Sequence, residues 1–202
     1  MERAEEFAAQ SSRPTDAAGI VLKPISREIT DSNIIYNTLS AKLDRNLFKA
    51  EDTVHAPSNE PPQDNEGIYA SGSGFWHLAF ARDFDDFILH MRANEPEIST
   101  WVFKSSGNPD FIEAGDKALL DNKDNWLARE ITLFLKRTLK RLDVSSRSII
   151  TLIEPGSCFT GTLLELILAS DRSYMLDGVF EDSNLPAATV RPTGMNFGAL
   201  PM

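Results

Sequence analysis

Apolar residues recur every three to four positions between Phe75 and Arg92. Trp76, Phe80, Phe84, Phe87 and Met91 fall on one stripe, the signature of an amphipathic helix, and Glu95–Pro96 ends it. A second helical pattern covers Asp110–Asp121. A longer one covers Asn125–Leu142, with Leu127, Ile131, Phe134, Leu135, Leu139 and Leu142 on its buried face. Ile98–Lys104 (ISTWVFK) reads as a strand. Ser148–Ile153 is an apolar strand without alternation, the pattern of a strand covered on both faces. Glu154–Pro155–Gly156 breaks it, a helix over Thr160–Ser170 follows, and a strand covers Arg172–Leu176. Helices alternating with strands predict an α/β fold with parallel connections.

The N-terminal third has a different texture. Residues 2–10 are Ala/Glu-rich and fit a short helix ended at Arg13 and Pro14. Two alternating runs, IIYNTLSAKLD and NLFKAEDTVHA, fit the two strands of a hairpin turning at Asp44–Asn46. Pro, Gly, Ser and Asn crowd residues 57–74, which reads as a flexible loop. The expected division is therefore 1–26 as helical remnant and linker, 27–56 as β-hairpin segment, 57–74 as loop, and 75–202 as the main domain.

Composition narrows the function classes. Of 202 residues, 42% are hydrophobic and 25% charged, enough to bury a sizeable core. The net charge of −10 argues against a general nucleic-acid binder, which needs a basic face. One cysteine excludes an internal disulfide and a cysteine-rich zinc site. No apolar run reaches the length of a membrane span, and the first residues lack the features of a signal peptide. These patterns point to a cytoplasmic protein.

The segment SRSIITLIEPGSCFTGTLLELILASDRSYM, residues 146–175, resembles the strand–turn–helix–strand core of the crotonase (enoyl-CoA hydratase) superfamily. With FARDFDDFILHMRANEPEISTWVFK, RTLKRLDVSSRS and MNFGALPM, it is similar to the benzoyl-CoA-dihydrodiol lyases of that superfamily. The resemblance implies an α/β fold with an incomplete crotonase-like β-β-α superhelical core and an N-terminal β-hairpin extension. It implies the family reaction, hydrolytic ring opening of 2,3-epoxybenzoyl-CoA to a semialdehyde acyl-CoA and formate. It implies a CoA thioester as substrate and no cofactor or metal. Members of the family are much longer and hold two crotonase-like halves. The chain resembles the second half without its C-terminal helices, and a fragment inactive on its own is expected. A homo-oligomer, or a separate catalytic half, is the expected partner besides the acyl-CoA substrate, with no nucleic acid and no membrane.

The superfamily holds a thioester oxygen between two backbone N–H groups as it gains charge. By resemblance these are the amides of Gly115, in FIEAGD, and of Thr162, at the start of the helix TLLELIL. Glu165 stands where a catalytic acid or base is expected. The position of the second carboxylate falls at about Gly194, which can carry no proton. Each assignment has a plainer alternative: a helix interruption at Gly115, N-capping by Thr160 or Thr162, and for Glu165 a buried carboxylate meeting Arg172. Lys136 and Arg137 are candidates for CoA phosphates, and equally fit a solvated face with Lys140 and Arg141. Cys158 reads as a small buried residue. His55, His77 and His90 show no metal spacing, and His77 and His90 are expected on the polar face of their helix. Three uses stay open: a segment of the lyase, a non-catalytic scaffold or oligomerisation half, or a divergent acyl-CoA hydratase using Glu165.

Overall fold

The computed structural model describes residues 2–12, 18–181 and 184–200. The expected stop at Arg13 and Pro14 lies outside them; the helix before it, α1, covers Glu2–Ala9 and buries none of its side chains. One seven-stranded sheet organises the described residues, its strands β1 (Arg27–Ile29), β2 (Asn33–Tyr36), β3 (Leu39–Asp44), β4 (Lys49–His55), β5 (Thr100–Ser106), β6 (Ser148–Ile153) and β7 (Arg172–Met175) lying in sequence order. β1 to β4 pair antiparallel; β4, β5, β6 and β7 pair parallel. The α/β architecture expected from the alternation is therefore present.

Three local expectations need correction. The run IIYNTLSAKLD is two strands, β2 and β3, which turn at Asn37–Thr38. Asp83, 45 residues further along the chain, secures that turn, accepting from the Thr38 hydroxyl at 2.8 Å and the Thr38 amide at 3.2 Å. The division between 27–56 and 75–202 is also no break in the sheet: β4 pairs along its whole length with β5, so the hairpin extension and the main domain share one sheet. Finally, the segment 57–74 contains a helix, α2 (Asn65–Ser71). Asp64 caps it by accepting from the Gly67 amide at 2.7 Å, and Ile68 anchors it in the core. A polar composition concealed it, because only one side chain of that helix is buried.

α3 (Trp76–Asn94) carries the aromatic stripe across one face of the sheet. Phe80, Phe84, Phe87 and Met91 are fully buried. The rings of Trp76, Phe80 and Phe84 stack at 5.1 and 5.2 Å, and Phe84 and Phe87 meet Phe103 and Trp101 of β5 at 5.7 and 5.8 Å. α4 (Pro109–Asp121) and α5 (Trp126–Lys140) start on the asparagine caps Asn108 and Asn125, and α5 packs on α3. Leu127, Ile131, Leu135 and Leu139 are buried as the periodicity requires. β6 departs from expectation: Ile149, Thr151 and Ile153 are buried, whereas Ile150 and Leu152 are only half-covered. β7 beside it is exposed throughout, so this end of the sheet has one well-covered face. Beyond β6 a 3-10 turn, Gly161–Leu163, leads directly into α6 (Leu164–Leu168).

Candidate active site

The fold brings three segments together behind β5 and β6: α4, the turn into α6, and the 3-10 turn Gly194–Asn196. Asp116 is their centre. Its Oδ2 accepts from the Thr162 amide at 2.9 Å and from the Thr193 hydroxyl at 2.9 Å. Its Oδ1 accepts from the Thr162 hydroxyl at 2.5 Å and lies 3.0 Å from His77 Nε2. Asp116, His77 and Thr162 are fully buried. A carboxylate out of water needs such a set of donors to remain there.

Gly161 makes this closeness possible. Its φ of +47° lies in the left-handed region, and a Cβ there would stand 1.7 Å from Asp116 Oδ2. Gly115 also serves packing. It sits inside an unbroken α4, so its N–H belongs to the helix's own ladder, and a Cβ would lie 2.2 Å from His77 Cε1. The helix interruption offered as its plainer alternative is absent: the missing side chain makes room for the imidazole within a continuous helix. His77, expected on a polar face, is buried instead. The helical stripe identifies one apolar face, and the partner that lets a polar ring be buried comes from another helix, 39 residues away.

Glu165 is fully buried near this cluster, and Asn196 donates to its Oε1 at 2.5 Å. The same Asn196 amide donates to the Gly161 carbonyl at 2.9 Å, tying the turn to α6. Arg172, the plainer candidate partner, lies on exposed β7. Gly194 opens the last 3-10 turn, its Cα packed toward Leu120. Thr160 caps nothing with its side chain; its hydroxyl donates to Glu113 at 2.9 Å, and Arg191 reaches Glu113 and Asp110, both at 2.9 Å. Cys158 is buried, and burial pushes its thiol up. Lys136 and Arg137 lie on α5, with the Arg137 guanidinium over the Phe134 ring at 4.6 Å. No cluster of three or more His, Cys, Asp or Glu suited to a metal occurs among the described residues. No helix among them is long and apolar enough to cross a membrane.

Thr162 and Glu165 thus share one site and Gly115 borders it. The side chains that fill the site, Asp116, His77, Thr193 and Asn196, were missed in sequence. Asp116 stands in the FIEAGD string beside Gly115, but nothing in the string says where its carboxylate goes. The Thr162 N–H, the amide that the sequence resemblance assigns to a thioester oxygen, is donated to the protein's own carboxylate.

No protein-family model matches the chain. It is 40% identical over 200 residues to the benzoyl-CoA-dihydrodiol lyase of Aromatoleum evansii, a match covering 99% of this chain and 35% of that protein. The chain therefore spans about a third of the length of its curated relative. Among solved structures it is similar to an enoyl-CoA hydratase from Geobacillus kaustophilus HTA426, with 20% identity and a TM-score of 0.47 over 71% of this chain and 47% of that one. It is also similar to an enoyl-CoA hydratase/isomerase from Marinobacter aquaeolei, with 14% identity and a TM-score of 0.45 over 67% and 47%.

Proposed function

We propose that this chain, a relative of benzoyl-CoA-dihydrodiol lyase along essentially its whole length, contributes one segment of an enzyme of that kind. The full reaction would open the ring of 2,3-epoxybenzoyl-CoA with water, giving a semialdehyde acyl-CoA and formate in the cytoplasm. The carrying observation is the 40% identity over 99% of the chain. Lys136 and Arg137 are the candidate contacts for CoA phosphates, and Glu165 the candidate acid or base. The test is a chimera in which this chain replaces its matching segment in the Aromatoleum evansii lyase. Retained turnover of 2,3-epoxybenzoyl-CoA is expected. A chimera that folds and oligomerises as the parent does, yet has lost turnover, overturns the assignment.

One observation favours a second reading, in which the segment is scaffold or oligomer interface and the chemistry lies elsewhere in the enzyme. Asp116 already takes the Thr162 N–H, and Gly115 spends its own within α4. A carboxylate in that seat leaves neither donor for a thioester oxygen. On this reading the isolated chain neither turns over nor binds acyl-CoA, and Glu165→Gln in the chimera leaves kcat unchanged. Saturable acyl-CoA binding by the chain alone, weakened by Glu165→Gln, would restore the catalytic reading.

A further inference from the structure

A second polar constellation lies at the carboxyl ends of the parallel strands, where open α/β sheets place ligands. It shares no residue with the Asp116 cluster. His55, the last residue of β4, sits between two serines. Its Nδ1 is 3.0 Å from Ser106 Oγ, at the end of β5, and its Nε2 is 3.0 Å from Ser40 Oγ, on β3. All three are half-buried. Burial holds the imidazole below its ordinary value, which keeps it in the neutral, basic form.

The local backbone fixes this arrangement. The Ala56 amide donates to the Ser106 carbonyl at 2.9 Å, which aligns the exits of β4 and β5. Gly107 then turns the chain with φ +123°, and a Cβ there would stand 2.7 Å from the Ala56 Cβ. Beyond Ser106 opens a cavity of about 610 Å³, lined among others by Lys104, Ser105, Ser106, Asn108 and Ser157. His55 does not line it, so the imidazole communicates with the cavity through the Ser106 hydroxyl. Lys104, the cation of the lining, lies on the same sheet face as Ser106 and pairs with Glu154 at 3.4 Å.

We propose that Ser106 is a nucleophile for acyl transfer from small acyl esters or thioesters, with His55 as its base and Ser40 as a positioning residue. In the reactive tautomer His55 donates its Nε2–H to Ser40, which leaves Nδ1 to accept from Ser106. As Ser106 Oγ bonds to the acyl carbon, its proton passes to Nδ1. The bond from acyl carbon to the leaving oxygen or sulfur then breaks, and the leaving group takes that proton. Water attacks the acyl-serine by the same route, releasing the acid and regenerating Ser106. Lys104, two residues before Ser106 and lining the same cavity, is the positive charge available to the developing oxyanion, shared with its partner Glu154.

The experiment follows the 202-residue chain with p-nitrophenyl acetate and a fluorophosphonate probe, by release of p-nitrophenol and by intact and peptide mass. The expected result is one adduct, at Ser106, abolished by Ser106→Ala and formed at least about a hundredfold more slowly in His55→Gln. Ser40→Ala should slow the reaction with KM unchanged. No adduct, an adduct elsewhere, or wild-type labelling in His55→Gln overturns the proposal. Should Ser106→Ala fold poorly, S106C decides: iodoacetamide should modify it at least tenfold faster with His55 present than in S106C/H55Q, and equal rates overturn the proposal. Neither assay involves ring opening, so failure here leaves the lyase-segment reading untouched.

Discussion

Replacing Asp116 with alanine tests the account of the buried cluster. The carboxylate receives the Thr162 amide, the Thr162 and Thr193 hydroxyls, and faces His77 Nε2, all within 3.0 Å. Hydroxyls can rotate toward other acceptors, but a backbone amide and a packed imidazole cannot. Each stranded buried donor costs roughly 1–3 kcal/mol, so these two together come to about 2–6 kcal/mol. We therefore expect Asp116→Ala to lose about 2–6 kcal/mol, equivalent to a Tm lower by roughly 4–24 °C for a chain of this size. Urea unfolding followed by tryptophan fluorescence measures it, since Trp101 is fully buried against the α3 aromatics. Thr193→Val should cost about 1 kcal/mol less in the Asp116→Ala background than in the wild type, because its hydroxyl then has no carboxylate to serve and keeps only its cap on the Met195 amide. A loss below about 1 kcal/mol for Asp116→Ala, with an unchanged urea slope, would refute the reading that this cluster holds the site together.

Three further outcomes are expected. Gly161→Ala should destabilise by roughly 2–5 kcal/mol in the same assay, combining left-handed strain with displacement of Asp116. Phe87→Ala should cost about 3–5 kcal/mol, because the ring is fully buried between Phe84 and Trp101. Asp52 on β4 is buried, neither of its oxygens has a hydrogen-bond partner among the described residues, and burial raises its carboxyl well above the ordinary value of 3.8. The folded state therefore holds this proton more tightly than the unfolded state, so the stabilisation is complete below pH 3.8 and is lost as pH rises toward the folded value. Asp52→Asn removes that dependence: its stability relative to wild type should climb between pH 4 and pH 8, and a flat difference would contradict it.

What was legible in the sequence follows from how far each signal reaches. α3 and α5 stand within two residues of expectation, since their periodicity is local and each buries several side chains, and β6 keeps its expected bounds although its burial alternates. α2 was hidden because only Ile68 on it is buried, so composition outweighed the Asp64 cap. The split of the first hairpin strand was hidden for another reason. The Asn37–Thr38 turn is stabilised by Asp83, 45 residues further on, and no window of local pattern contains both. The union of the hairpin with the main sheet depends likewise on the β4–β5 pairing, made across the whole of α2 and α3.

The same distinction of reach explains the candidate site. A glycine before a short helix is compatible with an open seat for a ligand oxygen, and equally with a seat filled from within. Both require the backbone to approach an oxygen atom closely, and both forbid a Cβ. Gly161 records the closeness, but the oxygen that comes within 1.7 Å of its Cβ position belongs to Asp116, 45 residues earlier on α4. Gly115 repeats the point: it too marks a close approach, and what approaches is the His77 ring. The geometry of strand, turn and helix is therefore carried by small residues readable in the sequence. The chemistry is carried by which distant side chain enters the space they leave. In this chain Asp116 and His77 enter it, and Asn196 reaches Glu165 from the far end of the described residues, so the cluster is braced from within.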